Sequence, residues 1–208
     1  MAPLTDTLPK PLITVAGKSL FDHAYDLVAN AGCDPIVANT HYLAHMIADH
    51  VAGRGIIISD EADLLRETGG GLRHALTHLG SGSVITMNTD AVWNGPNPVQ
   101  VLLDAWRPEM ECLLLTVPAS GAIGHPGRGD FDRDTLGRLQ RGRDQIYTGV
   151  QMVRTDRLEH MTDSAFSMNI VWDAMIADGG LFGAVYDGKW CDVGQPASIP
   201  LAEAMLDV

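Results

Sequence analysis

Apolar positions along the chain switch between two periods, and the switching predicts an alternation of helices and strands. From Ser19 to Ala31, Leu20, Ala24, Leu27, Val28 and Ala31 share one helical face, and Gly32 supplies a stop. Pro35 to Asn39 is short, apolar and β-branched, as strands are. A second amphipathic stretch follows from Tyr42 to Val51, with Leu43, Met46, Ile47 and Val51 facing inward and Gly53 ending it. Gly55 to Ser59, Ser83 to Asn88 and Glu111 to Val117 are apolar runs of the kind expected in strands covered on both faces. Helices are predicted between them, near Leu72 to Leu79 and Pro98 to Trp106. Tyr147 to Val153 reads as a strand, Ser167 to Ala177 as a helix and Leu181 to Tyr186 as a strand. Pro196 to Leu206 makes a closing helix with proline at or near its first turn.

This pattern predicts one α/β domain over residues 1–208, with a mixed, mainly parallel sheet and helices on both faces. Its ligand crevice is expected at the carboxyl ends of the strands. Between residues 120 and 143 the chain turns to Gly, Asp and Arg with few apolar residues, which predicts an exposed excursion or a small hairpin over the site.

Composition narrows the function classes. In 208 residues, 46% are hydrophobic and 19% charged, so long disorder is excluded and a real core is expected. Twenty-six acidic against 14 basic side chains leave a formal charge of −12, a surface that repels nucleic-acid backbones. Three widely spaced cysteines, Cys33, Cys112 and Cys191, supply neither a disulfide framework nor a close-spaced zinc set and suit a reducing cytoplasm. No apolar run reaches the roughly 20 residues of a membrane span, and the N-terminus has no leader pattern, so a soluble, unexported protein is expected.

Four segments could carry chemistry. Lys10 lies between Pro9 and Pro11, whose rings stiffen the backbone and fix where the lysine stem departs. A fixed cation suits phosphate, and an ordinary Pro-rich loop is the other reading. Glu67-Thr68-Gly69-Gly70-Gly71 opens into a helix, where glycines admit a close ligand and the first turn offers free N–H groups, or where they form only a flexible turn. Asp90 follows the apolar strand at Ser83–Asn88, and Asp192 stands in a similar setting before Val193-Gly194-Gln195-Pro196. Two such carboxylates could hold Mg²⁺ together with water and phosphate, or each could be a turn former. The His41/His45 and His74/His78 pairs lack a completing ligand and read as solvated helix faces; Met168 and Trp172 read as packing groups.

Taken in order, Pro3-Leu4-Thr5-Asp6, Pro9-Lys10-Pro11-Leu12, Glu67 to Gly71, Asn88-Thr89-Asp90 and Trp190 to Pro196 resemble the sugar-1-phosphate nucleotidyltransferases. Through Phe166 to Asp173 and Trp190-Cys191-Asp192-Val193-Gly194, the chain is most similar to the N-acetylmuramate-1-phosphate uridylyltransferase branch of bacterial cell-wall recycling. The resemblance implies a Rossmann-like three-layer domain. It also implies transfer of a nucleotidyl group from UTP, or another nucleoside triphosphate, to a sugar 1-phosphate, with pyrophosphate leaving. Lys10 would stabilise phosphate charge, and Asp90 and Asp192 would carry Mg²⁺. Glu67, Thr68, Gly69 and Gly70 would bind the nucleotide, the last three by lining the nucleobase pocket through backbone contact. Gly149 and Asn169 would face the sugar phosphate.

Members of that family open with a buried strand and the signature Gly-x-Gly-x-Arg-Met-x-Pro-Leu-Thr. Here Met1-Ala2-Pro3-Leu4-Thr5 resembles its last five positions. By resemblance, then, the first strand, the two glycines and the arginine are expected to be missing, with Met1 an internal methionine or the edge of a shortened chain. The expected consequences are weak activity and self-association through an unfilled sheet edge. A noncatalytic sugar-nucleotide-binding or regulatory module stays open as the alternative, as does another sugar phosphate, phosphocholine or another base. Upstream in-frame codons for a strand and Gly-x-Gly-x-Arg would favour the enzyme.

Overall fold

The computed structural model describes residues 1–125 and 127–207; Pro126, inside the expected excursion, lies outside the described residues. Two single-turn 3₁₀ segments, Leu4–Asp6 and Lys10–Leu12, lead into β1 (Thr14–Val15), β2 (Lys18–Ser19), α1 (Leu20–Asn30), β3 (Val37–Thr40), α2 (Ala44–Val51), β4 (Ile57–Asp60) and α3 (Glu67–Leu79). There follow β5 (Ser83–Met87), β6 (Ala91–Asn94), α4 (Pro98–Ala105), β7 (Cys112–Pro118), β8 (Phe131–Arg133), β9 (Leu139–Arg141) and β10 (Gln145–Arg154). The chain closes with α5 (Asp156–Glu159), α6 (Met168–Ala177), β11 (Leu181–Val185), β12 (Lys189–Asp192) and α7 (Ser198–Leu206). Helix starts follow local chemistry. Ser19 caps α1 by accepting from Asp22 N, Asn97 caps α4 ahead of Pro98 at the first position, and Ser167 caps α6.

The main sheet has six strands in the order β11-β7-β10-β8-β9, with β5 also on β10. Strand β7 is buried from Cys112 to Val117 and sends alternate side chains to opposite faces. Cys112 and Leu114 pack with Trp172, Met175 and Leu72 from α6 and α3, whereas Leu113 and Leu115 pack with Leu102 from α4. This is the three-layer arrangement expected from the alternation of elements. Strand pairing is mixed, but less parallel than expected. β3–β4 and β11–β7 are parallel, whereas β10 runs against β5, β7 and β8, a direction that apolar periodicity cannot encode.

Two further expectations are corrected. The 120–143 stretch is not merely an exposed excursion: β8 and β9 extend the sheet, and Phe131 and Leu139 are buried against Trp172 and Leu181. The runs at β4 and β5 are not covered on both faces. In β5, Val84, Ile85 and Met87 are only half-buried, and in β4 only Ser59 is buried.

The reason lies between them. Strands β3 and β4 form a separate parallel pair, so β3 is bonded on one edge to β4 and β5 on one edge to β10. Both strands line one cavity of about 850 Å³, walled also by Phe21, Ala24 and Val28 of α1 and by Leu72 and Ala75 of α3. Among the described residues no helix is long and apolar enough to cross a membrane.

Candidate active site

One end of this cavity is polar. Lys10 lies in the 3₁₀ turn between Pro9 and Pro11, and its Nζ stands 3.1 Å from Asp90 Oδ2, with both side chains partly exposed. Asp90 follows β5 through Asn88 and Thr89, and all three line the cavity with Lys10. The chain then turns into β6, which pairs antiparallel with β12 so that Asp192 lies opposite Ala91. Val193 N donates to Asp90 O at 2.7 Å, which ties the two aspartate segments together at the backbone. Lys10 and Asp90 thus meet directly, whereas the Asp192 segment is joined to Asp90 through the backbone and its side chain does not line the cavity.

Each carboxylate is held through one oxygen. Lys10 engages Asp90 Oδ2, and the imidazole Nδ1 of His125 engages Asp192 Oδ2 at 3.2 Å. Behind Asp192, the Cys191 thiol is pushed up to about 11 by burial and by the adjacent aspartate charge, so it is a packing group and not a nucleophile. Among the described residues there is no cluster of three or more His, Cys, Asp or Glu side chains suited to a metal. Two carboxylates on segments joined through the backbone, each with an oxygen left over, suit a hard ion that takes most of its ligands from water and substrate phosphates, as Mg²⁺ does.

The glycine segment behaves differently from expectation. Helix α3 begins at Glu67, which has φ +58°, so Gly69, Gly70 and Gly71 lie inside the helix and are buried. The N–H groups of Gly69 and Gly70 both donate to Phe166 O, at 2.9 and 3.0 Å. A Cβ on Gly69 would come within 2.5 Å of the Phe166 ring, and one on Gly70 within 2.5 Å of Ser164 O. These two glycines admit the 164–166 segment, and neither lines the cavity; Glu67, Thr68 and Gly71 do. Thr68 also accepts from Met168 N at 3.0 Å, which joins α3 to α6.

Gly149 and Asn169 do not line the cavity either. Gly149 has φ +86° at an irregularity in β10, where Asn88 N donates to its carbonyl and a Cβ would meet Asn88 Cβ at 2.9 Å. Asn169 is exposed on the first turn of α6 and accepts from Arg141 at 2.9 Å. Residues that sequence reasoning passed over include Glu61, buried and bonded to Asn39 Nδ2 at 2.7 Å on the cavity wall, and His125. Glu61 gave no signal beyond being an acid in a polar loop, because its partner is 22 positions away.

Known proteins resemble this chain along nearly its whole length. Residues 5–160 match the MobA-like NTP transferase domain. The chain is 34% identical to the N-acetylmuramate alpha-1-phosphate uridylyltransferase of Caulobacter vibrioides over 221 aligned positions, covering 99% of this chain and 91% of that protein. Its identity to the enzyme of the same name from Neisseria meningitidis serogroup B is 27%, covering 99% and 92%. A crystal structure of HddC from Yersinia pseudotuberculosis complexed with GMP-PN superposes with a TM-score of 0.77 at 17% identity, covering 96% of this chain and 90% of that one.

Proposed function

This chain belongs to the MobA-like NTP transferase domain family, and we propose that it transfers the uridylyl group of UTP to N-acetylmuramate 1-phosphate, releasing pyrophosphate, as a step in cell-wall recycling. The observation that carries this reading is the Lys10–Asp90 pair at one end of the cavity, with the Asp192 segment bonded to Asp90 through the backbone. The base and sugar are taken from the relative with 34% identity along the whole chain. The three free cysteines suit the reducing cytoplasm in which such a step would run.

In the proposed reaction an oxygen of the sugar phosphate attacks the α-phosphorus of the triphosphate. A new P–O bond forms as the bond to the β-phosphate oxygen breaks, and pyrophosphate leaves with that electron pair. The attacking oxygen is already anionic, so no strong general base is required; in-line positioning and charge neutralisation dominate. Lys10 holds a positive charge beside the phosphates, with its direction set by the flanking prolines. Asp90 and Asp192 would hold Mg²⁺, which when bound supplies a Lewis acid and a template for the two phosphates. Glu67 and Thr68, exposed on the cavity rim, are assigned to the nucleotide.

The slot between β3 and β5 bears on whether the chain associates. An extended segment laid there would pair both free strand edges and join the two sheets into one. On this reading the chain associates through the open edges of β3 and β5. The test is pyrophosphate release with UTP and N-acetylmuramate 1-phosphate, measured for this chain and for a form extended upstream in frame. Turnover in neither form would overturn the proposal.

A further inference from the structure

We propose that His125 is a positioning residue for the Asp192 carboxylate, a role that rests on the metal-dependent transfer proposed above. His125 belongs to the stretch that the sequence marks as an exposed excursion, yet the root of that stretch is built into the site. Ile123 forms a parallel bridge with Cys191: Ile123 N donates to Trp190 O at 3.3 Å, and Asp192 N donates to Ile123 O at 2.9 Å. The segment therefore lies as a short extra strand along β12, and the next two residues are fixed relative to Asp192.

Gly124 makes the approach possible. Its φ is +71°, and a Cβ there would lie 2.4 Å from Asp192 O and 3.0 Å from Ser198 Oγ, so a side chain would push the segment off β12. Ser198 Oγ donates to Gly124 O at 3.3 Å from the start of α7. Beyond this anchor the imidazole of His125 lies over Trp190, with ring centroids 6.0 Å apart, and its Nδ1 reaches Asp192 Oδ2 at 3.2 Å. Both side chains are mostly buried, at 23% and 21% exposure, so water competes little for the bond.

The bond takes one carboxylate oxygen and leaves Oδ1 of Asp192 for a ligand. Lys10 does the same at Asp90. A carboxylate that must meet a cation in one orientation gains from such a fixed donor, because its rotation is already frozen when the ion arrives. An Nδ1–H donor at this place orients the carboxylate without itself contacting substrate. Asparagine can place an amide N–H near the same point; alanine cannot.

Mn²⁺ titrated into the 208-residue chain, with free ion followed by electron paramagnetic resonance, tests the role without requiring turnover. His125→Ala is expected to weaken Mn²⁺ binding about tenfold, with His125→Asn restoring most of it. The melting temperature should change little in either variant, and Asp192→Asn should abolish binding. An unchanged Mn²⁺ affinity in His125→Ala beside a loss in Asp192→Asn overturns the role of His125 alone. Unchanged affinity in all three variants instead removes the metal role of the carboxylates, and the proposal with it. A fall in melting temperature without a fall in affinity makes His125 a structural residue and likewise overturns it.

Discussion

Lys10 Nζ and Asp90 Oδ2 stand 3.1 Å apart although 80 positions separate them in the chain. With side chains 30% and 39% exposed, such a pair contributes at most about 1 kcal/mol to folding. On the proposed reading the pair serves chemistry at the cavity mouth instead. Asp90→Asn and Asp192→Asn should each lower kcat by orders of magnitude while leaving the melting temperature within a few degrees. Near wild-type turnover at saturating Mg²⁺ in either variant would remove that residue from the reaction.

Lys10→Ala should reduce kcat/KM for the triphosphate, since a point charge held by two prolines contributes to both binding and the transition state. Steady-state kinetics with UTP varied would show it. An unchanged kcat/KM would return Lys10 to a Pro-rich loop.

Gly70→Ala offers a test of packing against ligand contact. Alanine should favour a helix interior by about 1 kcal/mol, but here its methyl meets Ser164 O, part of the backbone, at 2.5 Å. Overpacking of this kind typically costs about 1–3 kcal/mol, so the variant should melt lower than wild type. A variant that melts normally but binds UTP poorly would restore the expected nucleobase role.

Asp22 supplies a pH test. Burial pushes its carboxyl up, but hydrogen bonds from Arg54, Ser19 and His50 outweigh this and hold it at about 2, below the ordinary 3.8. A depressed carboxyl stabilises the fold above its unfolded value, and the contribution is lost as pH falls from about 4 to about 2. Asp22→Asn should therefore destabilise the protein at pH 7, by about 1–2 kcal/mol, and the gap from wild type should close towards pH 2. A gap that stays constant from pH 7 to pH 2 would show that the network between α1 and α2 does not depend on this charge.

Parts of the candidate site were legible because local chemistry marks them. Two prolines mark Lys10, and an apolar run ending in Asn-Thr-Asp marks a strand end with a carboxylate. The pairing that brings Asp192 to Asp90 was not legible, because β6 and β12 are four residues each, of mixed polarity, and nearly 100 positions apart. Strands β8 and β9 carry one buried apolar residue each, Phe131 and Leu139, too few to show a period. Gly69 and Gly70 misled for a related reason. Glycine reports that something comes close to the backbone, and only the fold says whether it is a ligand or, as here, Phe166 and Ser164. His125 looked like part of a loop of Gly, Asp and Arg because its anchor, the bridge from Ile123 to Cys191, is purely a matter of backbone.

The open slot predicts a stability difference. A version extended upstream by a strand-forming segment should melt higher than the 208-residue chain and, if the exposed edges drive association, should show a lower solution mass per chain in sedimentation. Those amides of β5, between Val84 and Met87, that face away from β10 should exchange more slowly in the extended form, because that edge of the strand is then covered. Identical melting and exchange in the two forms would mean that nothing fills the gap between β3 and β5.

The measurement closest to the central claim is phosphorus NMR of UTP, Mg²⁺ and N-acetylmuramate 1-phosphate incubated with the upstream-extended protein and its Asp90→Asn variant. The account predicts pyrophosphate and a UDP-sugar appearing in equal amounts, only when the sugar phosphate is present, and almost none from the variant. Orthophosphate in place of pyrophosphate, or equal product from wild type and variant, would contradict it.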